Sequence, residues 1–493
     1  MTATFHVENF GCRAARADGE AMSDRLRAAG LGDQSPAVAD VVVVNTCSVT
    51  AEADRAARAF IRRAQRLNPE ARIVVTGCYA QRAPDELAGL SGVAAVVGNS
   101  HKALAPHIIL SLLGRTPAHA DCGLTQIQAA TNLERATSEQ LAPPQVELAP
   151  PQVAQVVWAD DSFAHSFLEE AQVIPGAQTR PNLKIQEGCG NRCTFCVIPQ
   201  TRGSSRSLSA ASVLKQVEGF VAAGGNELVL SGINLGRWGR DLHDSAFTNE
   251  EATAPQTLAG LVRQIFERTT LARLRLSSIE PMDWNAELIE LMAEFGNPAR
   301  GMARLARHAH LPLQSGSDAV LRRMHRRYRP WHYAEKVAAL IRAAGPELTL
   351  GADVMVGFPG ETDAEFEETR ALIHALPFGY LHLFPFSPRP GTPGWALHAE
   401  RPVPAGVVDE RMAALRVLAS EKTRAHRSSF VGRDLEAITL HTPAEVVARG
   451  RSVALTENFL PVELEGRLEA NQLVRLRVTG LNADMTLEAL ENQ

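Results

Sequence analysis

Cys189-Gly-Asn-Arg-Cys193-Thr-Phe-Cys196 is the stretch that decides the fold. Its CxxxCxxC spacing puts three thiolates on one short segment, a ligand set for a four-iron cluster whose fourth corner stays open. A corner without a protein ligand is a place for a small molecule, and therefore for chemistry. The competing reading is a zinc knuckle. A closed zinc site takes four ligands, usually as paired CxxC, and no fourth Cys or His follows within the next few dozen residues.

Outward from this segment, strand-like runs begin near Leu183, Glu227, Ala272, His308, Leu348 and Tyr380 and alternate with amphipathic helical patterns as far as about Phe386. The helix expected over Ala211 to Ala223 has Val213, Leu214, Val217, Phe220 and Val221 on one side. Expected at strand ends are Ser231-Gly232-Ile233-Asn234, Ser277-Ser278-Ile279-Glu280, Leu313-Gln314-Ser315-Gly316, Gly351-Ala352-Asp353 and Gly357-Phe358-Pro359-Gly360. Each alone is ordinary turn chemistry; the set is what points to a site. His308 and His310 share a strand face, but no further metal ligand is evident beside them. Leu321 to Tyr333 (LRRMHRRYRPWHY) interleaves five Arg with aromatic rings, which suits an RNA backbone and unstacked bases.

On the N-terminal side, apolar runs at Thr4 to Phe10, Asp40 to Asn45 and Ile73 to Gly77 alternate with helical patterns, the signature of a doubly wound parallel sheet. Cys12, Cys47 and Cys78 each come just after one run. Ligand crevices in such sheets lie beyond the carboxyl ends of the strands, so the three converge on a second three-thiolate site. The helix after Cys47 carries Arg55, Arg58, Arg62 and Arg66 on one face, with Ala57, Phe60, Ile61, Ala64 and Leu67 on the other. That stripe fits a polyanion or a plain solvated surface equally well.

The chain has 493 residues, room for about three domains. Net charge is -5, so global charge does not announce a nucleic-acid partner. Neither a leader-like N-terminus nor an apolar run approaching a membrane span is found, and a cytoplasmic enzyme is expected. Seven cysteines, an odd number, point in a reducing compartment to metal or redox use. From Thr116 to Pro181 the periodicity fades and Leu-Ala-Pro-Pro-Gln-Val occurs twice, which reads as an extended insertion. Beyond His426, short runs at Ser452 to Leu455, Leu460 to Leu464 and Leu473 to Val478 suggest a small antiparallel barrel.

The Cys189 to Cys196 string resembles the cluster motif of the radical S-adenosylmethionine (SAM) superfamily. Gly11-Cys12, Val44-Asn45-Thr46-Cys47-Ser48-Val49-Thr50 and Thr76-Gly77-Cys78 together resemble the cluster-binding domain of the methylthiotransferases, and the C-terminal piece resembles the RNA-binding TRAM module. The resemblance implies an α/β protein with an N-terminal doubly wound parallel sheet (1–115), a Pro-rich insertion (116–180), a central partial (β/α)6 radical SAM barrel (181–425) and a small C-terminal TRAM-like antiparallel β-barrel (426–493). It implies two 4Fe-4S clusters, one on Cys12, Cys47 and Cys78 and one on the catalytic Cys189, Cys193 and Cys196, with Cys122 in neither. SAM would chelate the open iron and yield a deoxyadenosyl radical after one-electron cleavage. Gly232 and Asn234 would meet its amino acid part, Ser278 and Gln314 its ribose or carboxylate, and the Phe195 backbone its adenine, with Asp353 in the same cofactor-binding set.

One departure stands out. The family commonly has Asn, Gln and an acidic group soon after the first cysteine, whereas this chain reads Cys12-Arg-Ala-Ala-Arg-Ala-Asp-Gly-Glu20, which changes the surroundings of that cluster. Asn45 to Thr50 followed by Ala53-Asp54 looks most like the branch acting on threonylcarbamoyladenosine next to the tRNA anticodon. The implied reaction replaces the C2 hydrogen of that adenine by a methylthio group. One SAM methylates a sulfur at the N-terminal cluster and a second supplies the radical, because a base cannot remove an aromatic C–H proton at neutral pH. The implied partners are the tRNA anticodon stem-loop and a reductant protein such as a flavodoxin or ferredoxin, with no membrane. Isopentenyladenosine in tRNA and an aspartate on a ribosomal protein are the alternative substrates. An iron-sulfur RNA-binding protein without turnover is the alternative from another class.

Overall fold

The structure is a computed structural model that describes residues 2–48, 50–115, 156–161, 163, 179–242, 256–297 and 303–491. The Pro-Pro repeat and Cys122 lie outside the described residues. Strands β1 (Thr4–Asn9), β2 (Gly32–Asp33), β3 (Val41–Thr46), β4 (Arg72–Gly77), β5 (Val93–Gly98) and β6 (Val156–Trp158) form one sheet in the order β2-β1-β3-β4-β5-β6. All its pairings are parallel. The four consecutive valines of β3 are fully buried, as a strand covered on both faces requires. Helix α1 (Arg13–Ala28) puts Met22 and Leu26 on one face; helix α2 (Ala51–Leu67) puts Ala57, Phe60, Ile61 and Ala64 on the other. Leu67, expected to face inward, is 54% exposed because it ends α2 beyond the sheet. The chain runs from β1 out to the edge strand β2 and back to β3, so the order reverses between β1 and β3. That reversal point, where open sheets bind ligands, is flanked by Cys12 and Cys47.

The six expected β/α strands are β7 (Asn182–Glu187), β9 (Glu227–Gly232), β10 (Arg273–Leu276), β11 (His308–His310), β12 (Thr349–Val356) and β13 (Phe378–Pro385). A short antiparallel edge, β8 (Arg206–Ser207), follows β7. The sheets β10-β9-β7-β8 and β11-β12-β13 are joined by a parallel bridge between Leu274 and Leu305, which makes a partial barrel. Leu183, Ile185, Leu228 and Leu230 pack against Val213, Leu214, Val217 and Phe220 of the helix Ala210–Ala222. By strand alternation Asn182, Lys184 and Gln186 therefore face the barrel interior, which is polar.

Strands β14 (Asp434–Thr439), β15 (Arg451–Thr456), β16 (Pro461–Glu465), β17 (Leu473–Leu481) and β18 (Leu487–Glu491) close a second barrel in the order β14-β15-β16-β18-β17. Val474, Leu476 and Val478 are buried and Arg475 and Arg477 exposed, as the alternation predicts. One pairing, β16 with β18, is parallel, which corrects the purely antiparallel expectation. This barrel sits on the strand starts of the partial barrel: Arg273 reaches Glu436 at 3.2 Å, Asn226 Nδ2 donates to the Asn471 carbonyl at 2.7 Å, and Asn458 Nδ2 to that of Glu347 at 3.0 Å. The strand ends, where barrel sites lie, are left clear of it. Among the described residues no helix is long and apolar enough to cross a membrane.

Candidate active site

The turns that carry the N-terminal cysteines are neighbours because their strands are. Cys12 caps α1, Cys47 follows β3, and Cys78 opens the short helix α3 (Cys78–Arg82) after β4. Gly11, at φ +106°, is where a side chain could not fit: a Cβ there would stand 2.2 Å from Cβ of Cys47. Cys47 and Cys78 are buried and Cys12 is exposed. Cys78 Sγ accepts from Arg202 Nε at 3.2 Å and from Asn99 Nδ2 at 3.4 Å, and Cys12 also lies within electrostatic reach of Arg202. Arg202 comes from the partial barrel, six positions beyond Cys196.

The barrel cysteines lie on the segment after β7. Backbone N–H groups of Asn191 and Ile198 point at Cys189 Sγ (3.4 Å) and Cys196 Sγ (3.5 Å), Asn234 Nδ2 at Cys189 Sγ (3.5 Å), and Arg326 Nη1 at Cys193 Sγ (3.3 Å). Burial raises the Cys193 thiol and pushes Cys196 up to about 12, so ionisation of these thiols awaits a metal. Sulfurs ringed by N–H donors are the surroundings an iron-sulfur cluster uses. Among the described residues no three His, Cys, Asp or Glu side chains converge on one metal ion.

The strand-end residues divide. Gly232 lies so close to Gln186 that a Cβ there would meet its side chain at 2.9 Å. Gln186 Oε1 accepts from Asn234 N at 2.7 Å, and its Nε2 donates to the Glu187 and Gly188 carbonyls, tying the cysteine segment to the Gly232–Asn234 turn. Asn234 Oδ1 and Gln314 Oε1 are buried acceptors without a hydrogen-bond partner among the described residues, and Gln314 sits at φ +62°. Orphaned acceptors at the strand ends fit the ammonium and hydroxyl groups of SAM. Ser278 is half-buried two residues before Glu280, whose Oε1 accepts from Asn191 Nδ2 at 3.0 Å. Phe195 is half-buried against the barrel core, next to Thr194, whose carbonyl accepts from Gly394 N at 2.7 Å. Asp353 requires a correction: β12 continues to Val356, so Gly351 and Asp353 lie inside the strand, with the Asp353 carboxylate 3.5 Å from His310. His308 Nε2 is 2.8 Å from the Tyr380 hydroxyl.

Sequence reasoning missed a buried charge cluster between the two cysteine sites. Asp18 of α1 pairs with Lys102, Lys184 and Arg202; Glu187 pairs with Lys184 and Arg202. Burial alone would raise both acids, but the three cations outweigh it and hold Asp18 below, and Glu187 well below, the usual carboxylate range. Three buried cations face two carboxylates, which leaves one positive charge for the sulfur ligands. No local pattern announces this cluster, because its members come from four separate elements.

The Arg-rich stretch 321–333 divides between interior and surface. Arg326, Tyr328 and Tyr333 are buried, Arg323 pairs with Glu365, Arg322 and Arg329 pair with Asp318, and Arg327 pairs with Asp283. The Tyr hydroxyls donate to the carbonyls of Pro312, Leu313 and Leu311 inside the barrel. Arg326 stands against Cys193, while Arg322, His325, Arg327 and Trp331, the last 51% exposed, face outward. The α2 stripe does face solvent at Arg55, Arg62 and Arg66, while Arg58 is held by Tyr79 and Glu86.

Three cysteines on the segment after the first strand of a six-stranded partial barrel, beside orphaned acceptors at the strand ends, define a radical SAM enzyme. Residues 183–373 match the Radical SAM superfamily, and residues 4–98 match what is described as uncharacterized protein family UPF0004. The threonylcarbamoyladenosine tRNA methylthiotransferase MtaB of Bacillus subtilis is 34% identical over 94% of this chain and 90% of its own length. The protein of that name from Treponema pallidum is 33% identical over 96% and 97%. The tRNA-2-methylthio-N(6)-dimethylallyladenosine synthase of Cereibacter sphaeroides is 32% identical over 96% and 95%. The chain belongs to the radical SAM methylthiotransferase family, whose cofactors are two 4Fe-4S clusters and SAM.

Proposed function

We propose that the protein is a tRNA methylthiotransferase that modifies C2 of threonylcarbamoyladenosine next to the anticodon. Cys12, Cys47 and Cys78 hold one cluster and Cys189, Cys193 and Cys196 the other. Asn234 and Gln314 meet SAM, with Gly232, Ser278 and the Phe195 backbone beside it. Bound there, SAM and the clusters supply the radical and the methylated sulfur. The chain's own part is geometric and electrostatic. Gln186 fixes the cysteine segment to the Gly232–Asn234 turn, Arg326 donates to Cys193 of the barrel trio and Arg202 to Cys78 of the N-terminal trio, and the Asp18–Glu187–Lys184 cluster orients Arg202.

The observation that carries the reading is Arg202, which belongs to the radical-generating segment and bonds Cys78 of the other trio. A sulfur held at the first site is thereby kept beside the second, as a transfer between the two requires. The choice of threonylcarbamoyladenosine rests on Asn45 to Thr50 and on near full-length likeness to relatives named for that substrate. A tRNA target places the enzyme in the cytoplasm, and the electron comes from a reductant such as a flavodoxin or ferredoxin. Nucleoside mass analysis of tRNA from a strain lacking the gene tests this. The 2-methylthio form of threonylcarbamoyladenosine should vanish while its precursor accumulates; loss of the dimethylallyl counterpart instead would contradict it.

A further inference from the structure

The outward face of α2 carries Arg55, Arg62 and Arg66, all exposed, and no carboxylate stands in ion-pair reach of them among the described residues. Elsewhere the chain neutralises such groups. Arg27, Arg268, Arg322 and Arg370, exposed on other helices, each lie 2.5 to 3.1 Å from an acidic side chain, and on α2 itself Arg58 is held by Glu86 at 2.8 Å. Arg62 and Arg66 are one helical turn apart, and Arg66 Nε donates to the Arg62 carbonyl at 3.3 Å, so two like charges are kept side by side. That arrangement costs stability unless an anion from outside relieves it.

The row starts at the mouth where the barrel strands end. Asp54, buried near the start of α2, pairs with Arg82 at 2.9 Å and with Arg389 at 2.6 Å, and Ala51 N donates to Ser387 Oγ at 3.2 Å. Ser387 and Arg389 lie just past the end of β13. Helix α2 therefore begins between the Cys47 turn and the strand-end side of the partial barrel. From Arg55 to Arg66 its arginines lead away over about 16 Å, at about 1.5 Å per residue. A second feature stands at the same mouth. The helix Pro393–Glu400 follows Arg389, and its Gly394 N–H bonds to the Thr194 carbonyl of the barrel cysteine segment. The next residue, Trp395, is 47% exposed, a large ring with a face open for stacking.

We infer that α2 and Trp395 form a surface that grips the anticodon arm outside the reaction site. An unstacked loop base lies on the Trp395 ring, and backbone phosphates run along Arg55, Arg62 and Arg66. The inference rests on the tRNA reading. Guanidinium groups in a row beside an exposed aromatic ring suit a polyanion that also carries π faces, which RNA is and an acidic protein is not. Such contacts read no base sequence. They position the arm and leave the choice of adenosine to the site at the strand ends.

The experiment measures the affinity of the cluster-loaded protein, without reductant, for a tRNA anticodon stem-loop over a series of salt concentrations. Arg62→Gln combined with Arg66→Gln should reduce the slope of log affinity against log salt by about two, one for each lost phosphate contact, and Arg62→Lys with Arg66→Lys should keep it. Trp395→Ala should weaken binding by about fivefold or more with the slope unchanged. Iron content and the thermal transition of each variant establish that it folds. An unchanged slope in the double glutamine variant overturns the phosphate track, and unchanged affinity in Trp395→Ala overturns the stacking contact. A double variant that binds the stem-loop as wild type does, yet is reduced more slowly by a flavodoxin, assigns the row to an acidic protein and overturns the inference. A wild type that does not bind the stem-loop overturns the tRNA reading itself.

Discussion

Cys189, Cys193 and Cys196 share one segment, whereas Cys12, Cys47 and Cys78 sit on three turns that meet only because β1, β3 and β4 are parallel neighbours. The first trio takes N–H donors from its own backbone at Asn191 and Ile198 and from Asn234 and Arg326 elsewhere in the same barrel. The second takes them from distant side chains, Asn99 and Arg202, and Arg202 arrives from the other domain. The barrel site thus draws its donors from one domain, while the N-terminal site is complete only when two domains are docked. Generating the radical is the work of one domain; keeping the sulfur in range of it is the work of an interface.

The largest effect that could break this comparison is catalytic. Cys193→Ala should abolish release of deoxyadenosine from SAM under reduction, while Cys47→Ala should retain it and lose methylthio product. Loss of SAM cleavage in both variants would erase the division between the sites. A smaller effect sharpens the electrostatic half. Arg202→Gln strips a fully buried cation from Asp18 and Glu187 and should cost about 3–5 kcal/mol in unfolding, with iron lost first from the N-terminal site. Arg326→Gln should cost less, since Glu280 keeps Arg327 at 3.5 Å. The reverse ranking, read from denaturant midpoints, would show that the barrel site depends on its arginine more.

The smallest effect concerns a buried polar group away from both trios. His426 hydrogen-bonds Thr349 at 2.9 Å, and burial lowers its pKa from 6.5 to about 4. The folded state therefore holds the neutral ring and the unfolded state protonates first. This contribution is complete above about pH 6.5 and is lost as the pH falls toward 4, by at most about 3 kcal/mol. His426→Gln should flatten the stability profile over that window. An unchanged profile would mean that the ring titrates alike in the folded and unfolded states.

Legibility in the sequence follows the same divide. The barrel trio could be read from spacing, and the six strand runs from periodicity, because both are local patterns. β2 and β6, of two and three residues, carry too little pattern to be seen, and β5 was missed although Val93–Gly98 is apolar. The N-terminal trio needed one inference about topology, that cysteines after parallel strands converge. Gln186, Arg202 and Asp18 were beyond reach, since their meaning lies in partners far along the chain. The stretch 321–333 was legible only in part, because arginine and tyrosine that read as a surface for RNA also serve, at Arg326 and Tyr328, as buried donors to a cysteine sulfur and to barrel carbonyls.

Iron and acid-labile sulfide counts on oxygen-protected, reconstituted protein test the two-site claim most directly, alongside variants with either trio replaced by alanine. Two four-iron clusters predict about eight irons in the intact protein and about four in each triple variant. About four irons in the intact protein, or none left when only the barrel trio is replaced, would contradict the claim.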